Sequence, residues 1–331
     1  MKKLMNSADD FVDEMLDGLC AAHPSLLRDG ADPRVIRRAA MAGNGKVGIV
    51  SGGGSGHLPL FTGYVGQGLI DACAIGNIFA GPNVGSCMAA MRAADAGRGV
   101  LRLYGNYGGD RMNFDLAGEM LADDGIVSTT VLGADDVASG GADEAHKRRG
   151  VAGLIYAYKT AGAMADSGAD LDEVTRIATE TGARTRTIGV AFSPTQLPGA
   201  AAPTFTLADD EIEMGMGIHG EPGIWRDKTK PADMLADEML DRVLAEVPAG
   251  ADGRVAVLVN SLGATSLEEL FILYRRVAAQ LVARGHSIVM PLVGRYVTSL
   301  EMGGASISVL HLNDELERLL KAPAQCPFWT V

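Results

Sequence analysis

The sequence predicts an α/β fold with two α/β domains, and three observations support this prediction. Strand-like apolar runs alternate with helical patterns over residues 46–182, which is typical of a parallel sheet covered by helices. The chain changes character near residue 185, where a stretch rich in Pro, Thr and Ala precedes further strands and helices. With 331 residues, of which 47% are hydrophobic, the chain can form two cores. We therefore expect an N-terminal domain at 1–185 and a C-terminal domain at 186–331.

The individual elements follow from hydrophobic periodicity and from helix-capping residues. Strands are predicted at 46–50, 99–104, 126–132, 187–192, 212–218, 254–260, 287–292 and 306–312. Helices are predicted at 85–94, 148–165, 171–181, 231–246, 266–284 and 313–320. Two further helices are expected to begin at Ser7, as its N-cap, and at Arg111, and Asn313 is the expected cap of the last helix.

Composition excludes several classes of function. The net charge of −12 argues against nucleic acid or an anionic membrane surface as a partner. We find no apolar run long enough to span a membrane and no apolar signal region, so we expect a cytoplasmic protein. The four cysteines are widely separated without a Cys-x-x-Cys pair, which favours reduced thiols over a metal site or disulfides.

A glycine-rich stretch follows the first predicted strand, with Gly-Gly-Gly-Ser-Gly-His at 52–57. A phosphate-binding P-loop would need Gly-Lys-Ser/Thr at its end, and Pro59 stands where a dinucleotide fingerprint needs glycine. An oxidoreductase of the Rossmann type is therefore disfavoured. Two interpretations stay open: a tight turn at the strand exit, or a loop whose backbone N–H groups approach a ligand.

A second polar loop, at 105–110, follows the strand predicted at 99–104. Ligands collect beyond the carboxyl ends of strands in open α/β sheets, so the loops at 51–57 and 105–110 are expected to face one crevice. Asp110 is either a general base or the N-cap of the following helix.

The third stretch is Gly-Met-Gly-Ile-His-Gly-Glu-Pro-Gly at 215–223. The alternation over 212–218 places His219 at a strand end, beside a Gly-Pro turn. Taken alone, His219 fits either an incidental histidine at a hairpin corner or a functional group.

Together, these stretches resemble the sugar-binding subunit of dihydroxyacetone kinase. The resemblance rests on the motifs at 52–57, 106–110 and 217–223, and it extends along nearly the whole chain through supporting stretches at 148–153, 260–265 and 298–302. It implies two α/β domains with the ketose site in the cleft between them, and a homodimer.

The resemblance also implies roles for individual residues. His219 would hold the ketone covalently as a hemiaminal, since a neutral imidazole nitrogen adds to a carbonyl carbon but not to an alcohol. The Gly54 backbone and His57 would hydrogen-bond the sugar hydroxyls, and Asp110 would take the proton from the terminal hydroxyl. The other expected substrate contacts are Ser55, Gly56, Phe79, Gly105 and Asn106.

Two residues depart from the family pattern and affect the expected substrate. Gly105 stands where the family usually has lysine, and Leu58 stands where it usually has glutamate. The lost lysine, together with the small Gly81, suggests a larger ketose such as erythrulose or another tetrulose, with dihydroxyacetone as the other substrate. The alternative function is a non-catalytic paralogue that binds a ketose as a sensor or coactivator of a transcriptional regulator.

The phosphoryl donor is expected to come from a partner, because the 331 residues contain no recognisable ATP-binding motif. The resemblance implies a helical nucleotide-binding (L-type) kinase subunit that carries ADP or ATP with magnesium. That subunit would be recharged by a phosphotransferase-system protein or would exchange ATP. We expect this chain to bind no metal or cofactor itself, and to phosphorylate nothing with ATP and magnesium alone.

Overall fold

The computed structural model describes residues 2–40 and 45–331, which form two compact units. Of the described residues, the first unit comprises 2–40, 45–132, 155–180 and 318–331, and the second comprises 133–154 and 181–317. Each unit contains a six-stranded mixed sheet with helices, so the predicted α/β class is confirmed. The chain enters each unit more than once. This division differs from the single boundary at residue 185 that the sequence led us to expect.

The strands alternate with helices along much of the chain. The strands are β1 (Leu26–Arg28), β2 (Val35–Arg38), β3 (Gly48–Ser55), β4 (Ala72–Ile78), β5 (Val100–Gly105), β6 (Ser128–Gly133), β7 (Thr185–Ser193), β8 (Glu211–Met214), β9 (Trp225–Lys228), β10 (Arg254–Ser261), β11 (Ser287–Gly294) and β12 (Gly303–His311). The α-helices are α1 (Phe11–Ala22), α2 (Val84–Ala94), α3 (Gly108–Asp123), α4 (Leu154–Asp166), α5 (Leu171–Ala183), α6 (Ala232–Leu244), α7 (Leu267–Ala283) and α8 (Asp314–Lys321).

The first unit has the strand order β1-β2-β4-β3-β5-β6. Strand β3 pairs in parallel with both β4 and β5, whereas β2 joins β1 and β4 in antiparallel fashion. Apolar side chains of α2 and α3, including Met91 and Phe114, pack with those of the strands, including Val50 and Val100. The parallel core places the carboxyl ends of β3, β4 and β5 at one edge of the sheet.

The second unit has the strand order β11-β10-β12-β7-β8-β9, and only the β10–β11 pair among the described pairings there is parallel. Helices α6 and α7 contribute Leu235, Met239 and Leu270 to a core that includes Val190 and Val257. A capping box formed by Ser266 and Glu269 precedes α7, which confirms the helix start predicted at Ser266. The antiparallel pairing of β8 with β9 forms the hairpin that carries the third motif.

Several predicted boundaries are wrong. Helix α1 begins at Phe11, and the Ser7 side chain accepts instead from the Asp10 N–H in the preceding turn (3.0 Å). Residues 148–153 precede α4, where two of their backbone N–H groups bond the Asp135 carboxylate instead of forming a helical turn. The short strands β1, β2 and β9 were not predicted, because three or four residues are too few to show an alternating hydrophobic pattern.

The glycine-rich stretch after the first predicted strand is largely strand itself. Strand β3 continues through residues 51–55. Glycine weakens a strand intrinsically, so this pattern favours a loop until tertiary contacts are known. Within residues 2–40 and 45–331, no helix has both the length and the apolar character needed to cross a membrane.

Candidate functional site

The glycines of β3 leave space that other parts of the first unit fill. A Cβ on Gly52 would lie 2.6 Å from the Ala74 carbonyl oxygen, and one on Gly54 would lie 2.6 Å from the Ala80 nitrogen. A Cβ on Gly53 would meet the Phe61 ring at 2.3 Å. The glycine run therefore serves close packing of this chain against itself, whatever its backbone contributes to a ligand.

His57 is buried beside two phenylalanine rings that follow β3 and β4. Its imidazole stacks on Phe79, with centroids 5.0 Å apart and planes at 17°, and it meets the edge of Phe61 at 6.3 Å. Both phenylalanines have a positive φ, 70° for Phe61 and 58° for Phe79, which is unfavourable for a bulky side chain. Such strain persists only where the surrounding structure fixes it, and it concentrates at functional sites. The two rings fix the orientation of His57.

Asp110 lies in the first turn of α3 and is buried. Tyr107 is the N-cap, so the interpretation of Asp110 as a capping residue is wrong. A carboxylate in the first turn is stabilised by the positive end of the helix dipole. A Cβ on Gly81 would lie 2.3 Å from Asp110 Oδ1, so Gly81 provides space for this carboxylate.

The other predicted contacts of the first unit lie on the same strand ends. Ser55 ends β3 and accepts a 3.0 Å hydrogen bond from the Phe79 N–H through its carbonyl. Gly56 has a φ of 102°, and a Cβ there would meet the Phe79 ring at 2.8 Å. Gly105 ends β5, and Asn106 follows it two residues before α3 begins. The structure thus places Gly54, Ser55, Gly56, His57 and Phe79 together, and it places Gly81 against Asp110.

His219 belongs to the second unit, in the connection between β8 and β9. Strand β8 ends at Met214, so His219 lies within a loop and not at a strand end as predicted. The strand stops because Gly215 turns to a φ of 80°, a left-handed conformation that glycine adopts readily. The loop folds on itself through 3.0 Å bonds from Gly217 N–H to the Glu221 carbonyl and from Gly220 N–H to the Gly217 carbonyl.

Glu221 orients His219 through both carboxylate oxygens. Oε2 accepts from the His219 backbone N–H at 2.9 Å, and Oε1 lies 2.9 Å from Nδ1 of the ring. Burial raises the pKa of Glu221, but its hydrogen bond and electrostatic interaction with His219 outweigh burial and lower it to about 2. An ionised carboxylate only accepts hydrogen bonds, so whenever the ring is neutral its proton lies on Nδ1 and its lone pair on Nε2.

The end of the same loop is held by a buried glutamate, Glu213. Glu213 accepts from the Gly223 N–H at 2.6 Å and from Arg226 Nε at 2.7 Å. A Cβ on Gly223 would lie 2.1 Å from the Met214 carbonyl oxygen, so the loop must return tightly onto β8. The loop is preorganised by contacts within the second unit.

Sequence reasoning missed Phe61 and Glu221 as residues of the site. The Glu221 signal was present, because a glutamate two residues after the histidine can reach both its backbone and its ring. No local signal identifies Phe61, whose contact with His57 depends on the fold. Among residues 2–40 and 45–331, no group of three or more His, Cys, Asp or Glu side chains is arranged to hold a metal ion.

These features define a class of protein with two α/β units. One unit carries His219, whose imidazole is oriented by the Glu221 carboxylate, and the other carries the buried His57 and Asp110 in the first turn of a helix. A family model described as the Dak1 domain matches residues 17–328. The chain belongs to the Dak1 domain family, and the resemblance to the sugar-binding subunit of dihydroxyacetone kinase is confirmed.

The relatives include both separate subunits and longer kinases. The chain is 43% identical to the dihydroxyacetone-binding subunit DhaK of the PTS-dependent dihydroxyacetone kinase 2 from Listeria innocua, covering 100% of both chains. It is 44% identical to L-erythrulose 1-kinase from Mycolicibacterium smegmatis over 99% of this chain but only 58% of that protein. The chain therefore spans somewhat more than half of this longer relative.

A solved structure of a protein that is named as a co-activator has the same fold. The dihydroxyacetone kinase operon co-activator DhaQ superposes with a TM-score of 0.89 at 32% identity, covering 96% of this chain and 98% of that one. Close similarity along the whole chain is thus shared by proteins named as kinases, as a kinase subunit and as a co-activator.

Proposed function

We propose that this chain is the ketose-binding part of a dihydroxyacetone-type kinase and holds a short ketose on His219 as a hemiaminal. The observation that supports this most directly is the pair of bonds from Glu221 to the backbone and ring of His219. They fix the ring and leave the lone pair on Nε2, the form that a nucleophilic imidazole requires.

The proposed addition needs no co-reactant. The Nε2 lone pair forms a bond to the carbonyl carbon, and the π electron pair of the C=O bond moves to oxygen. That oxygen gains a proton while the ring loses the proton on Nδ1, which leaves a neutral hemiaminal. The Glu221 carboxylate faces Nδ1 and stabilises positive charge on the ring while the bond forms. Glycerol has no carbonyl and cannot form the adduct.

Asp110 is the proposed base for phosphoryl transfer to the terminal hydroxyl. It lies in the first turn of α3, and the ionised form of the carboxylate would accept the proton of that hydroxyl. His57 and the Gly54 backbone are the proposed partners of the sugar hydroxyls, with the stacked Phe79 ring keeping His57 in place. Adduct formation would reduce the entropy lost when the hydroxyl and the phosphoryl donor meet.

The phosphoryl group is proposed to come from a partner that carries ADP or ATP with magnesium, which offsets charge during transfer. The name of the Listeria innocua relative supports a phosphotransferase-system donor. The greater length of L-erythrulose 1-kinase supports an alternative, in which the nucleotide part is a further domain of one protein.

The substrate is proposed to be dihydroxyacetone or a tetrulose such as erythrulose. Gly105 in place of lysine removes a cationic donor, and the 44% identity to L-erythrulose 1-kinase supports a four-carbon sugar. Gly81 does not support a larger sugar, because the space that its missing side chain leaves is occupied by the Asp110 carboxylate. Equal or better kinetics with dihydroxyacetone than with D- and L-erythrulose would contradict the tetrulose proposal.

The first test is calorimetric titration of the wild type and His219→Ala with dihydroxyacetone, both erythruloses and glycerol. We expect at least one ketose to bind the wild type but not His219→Ala, and we expect glycerol to bind neither protein. With dihydroxyacetone labelled with 13C at the carbonyl carbon, the NMR signal should move from the ketone region to the region of tetrahedral carbon. Equal ketose binding by His219→Ala would overturn the covalent mechanism.

The second candidate function is a ketose sensor that acts as a coactivator, and the DhaQ structure supports it. A sensor would form the adduct without transferring phosphate. Phosphorylation of a ketose by the complete kinase, reduced in Asp110→Asn, would favour the enzyme. Adduct formation without transfer from a nucleotide subunit or a phosphotransferase-system donor would favour the sensor.

A further inference from the structure

The motif at 148–153 contains an arginine whose side chain reaches the histidine loop. Arg149 donates from Nε to Asp136 Oδ2 at 2.8 Å and from Nη2 to the Gly215 carbonyl at 2.9 Å. Gly215 is the first residue after β8, where the loop begins. Arg149 therefore connects a buried carboxylate to the first residue of the loop that carries His219.

The same guanidinium lies next to Glu221 across Gly217. A Cβ on Gly217 would stand 2.1 Å from Glu221 Oε2 and 2.6 Å from Arg149 Nη1, so both charged groups occupy the space beside this glycine. Oε2 is the oxygen that accepts from the His219 backbone N–H. The guanidinium of Arg149 and the carboxylate that orients the imidazole thus flank the same glycine.

Asp136 holds Arg149 by both main chain and side chain. Its backbone N–H donates to the Arg149 carbonyl at 3.1 Å, and its Oδ1 accepts from the Ala138 N–H at 3.0 Å. The Arg149 N–H donates to the Ser139 hydroxyl at 2.9 Å. Asp136 is 3% exposed and the Arg149 side chain 14%, so the pair is shielded from solvent, where charge-assisted bonds are strong.

We propose that the Asp136–Arg149 pair is a positioning device for His219, which fixes the start of its loop and fills the space beside Gly217 into which the Glu221 carboxylate would otherwise move away from Nδ1. The proposal rests on the proposed function, because it deepens the role of the same histidine. Arg149 acts on His219 through the loop backbone at Gly215 and through the space that it leaves to Glu221. Without the pair, the ring would lose its fixed tautomer and the Nε2 lone pair would be available for only part of the time.

The test uses the conservative series Arg149→Lys, Arg149→Met and Asp136→Asn. The control is Arg275→Met, which removes an exposed Arg–Asp pair on the surface of α7. The first readout is the 15N NMR spectrum of His219 in the ligand-free protein, which reports the proton on Nδ1 or Nε2. The second readout is the dissociation constant of the 13C-labelled dihydroxyacetone adduct.

We expect the wild type and Arg275→Met to show one tautomer protonated on Nδ1. Arg149→Met and Asp136→Asn should show mixed tautomers and adduct affinity reduced by roughly tenfold to a hundredfold, the range expected for loss of a charge-assisted bond. Arg149→Lys should recover part of both signals, because it retains the charge. Unchanged tautomer populations and affinity in Arg149→Met would overturn the proposal.

The two readouts separate this proposal from the proposed function. If the wild type forms no adduct, the hemiaminal function fails, while the tautomer series still reports whether the pair positions the ring. If the adduct forms normally and the tautomer stays fixed in all variants, only the positioning role fails.

A loss of folded structure in Arg149→Met would change the whole NMR spectrum, and Gly217→Ala then serves as the second variant. Its methyl group displaces Glu221 or Arg149 while both charges are kept.

Discussion

The Gly81→Ala variant tests whether the Asp110 carboxylate must occupy its observed position. The added methyl carbon would stand 2.3 Å from Asp110 Oδ1, whereas ordinary van der Waals contact begins near 3.4 Å. The carboxylate must therefore withdraw by about 1 Å, a displacement that can cost a factor of about a hundred in rate when it separates reacting groups. The φ of Gly81 is not in the left-handed region, so alanine brings no backbone strain there.

The expected result is a kcat about a hundredfold lower in the complete kinase, with adduct formation on His219 retained. Phosphorylation of the ketose would be measured with the phosphoryl donor saturating, and the adduct would be measured by 13C NMR. Retention of the adduct distinguishes a misplaced base from a misfolded protein.

The matched control is Gly18→Ala on α1, where an added methyl group meets nothing within 4 Å. This variant should keep the wild-type kcat. If Gly81→Ala keeps it too, either the carboxylate accommodates the methyl group without loss or Asp110 is not the base, and Asp110→Asn would decide between these.

Three further predictions concern the second unit and stability. Glu221→Gln should weaken the ketose adduct by roughly tenfold to a hundredfold, since a neutral amide stabilises a charged ring less well; an unchanged dissociation constant would exclude orientation by charge. Burial, together with neighbouring positive charge, lowers the pKa of His311 from 6.5 to about 4. The unfolded chain therefore binds the extra proton first, and stability should fall by about 2–3 kcal/mol between pH 7.5 and 4.5. Urea unfolding of His311→Leu should lose this pH-dependent component, and an identical pH slope in the variant would refute it. Lys46 donates to both oxygens of the buried Asp71, which also keeps Arg38 as a partner, so Lys46→Met should destabilise the first unit by about 2 kcal/mol in thermal unfolding. The double variant Lys46→Met with Asp71→Leu should be at least as unstable in thermal unfolding, because Arg38 then loses its bond to Asp71 as well; a more stable double variant would contradict this.

Elements with strong local signals could be predicted from the sequence. The amphipathic pattern of α7 and the Ser266 cap define its start, and the Asn313 side chain accepts from the Leu316 N–H as a cap should. Strand β10 and helix α2 also lie within one or two residues of their predicted ends. These elements depend on contacts between near neighbours, which the sequence displays directly.

Elements that depend on distant contacts could not be predicted. Glycines 52–54 look like a loop because nothing in the local sequence shows that Ala74, Phe61 and Ala80 lie against them. Strand β8 was extended to His219 because alternation continues through residues 215–218, although the backbone turns at Gly215. Asp110 looked like a cap because the helix was expected to begin at Arg111, whereas it begins at Gly108. The roles proposed for the site residues remain predictions.

The glycines near the proposed site share a physical role that bears on the choice of substrate. Gly81 gives space to Asp110, Gly217 gives space to Glu221 and Arg149, and Gly53 gives space to Phe61. A small residue beside a site is easily interpreted as room for a larger ligand, but at these positions the room is taken by side chains of the chain itself. Support for a tetrulose therefore comes from Gly105 and from the similarity to L-erythrulose 1-kinase, and not from small residues in general.

If this reasoning holds, the Gly105→Lys variant should shift the substrate preference toward dihydroxyacetone. An unchanged ratio of kcat/KM values for erythrulose and dihydroxyacetone in Gly105→Lys would show that selectivity arises elsewhere.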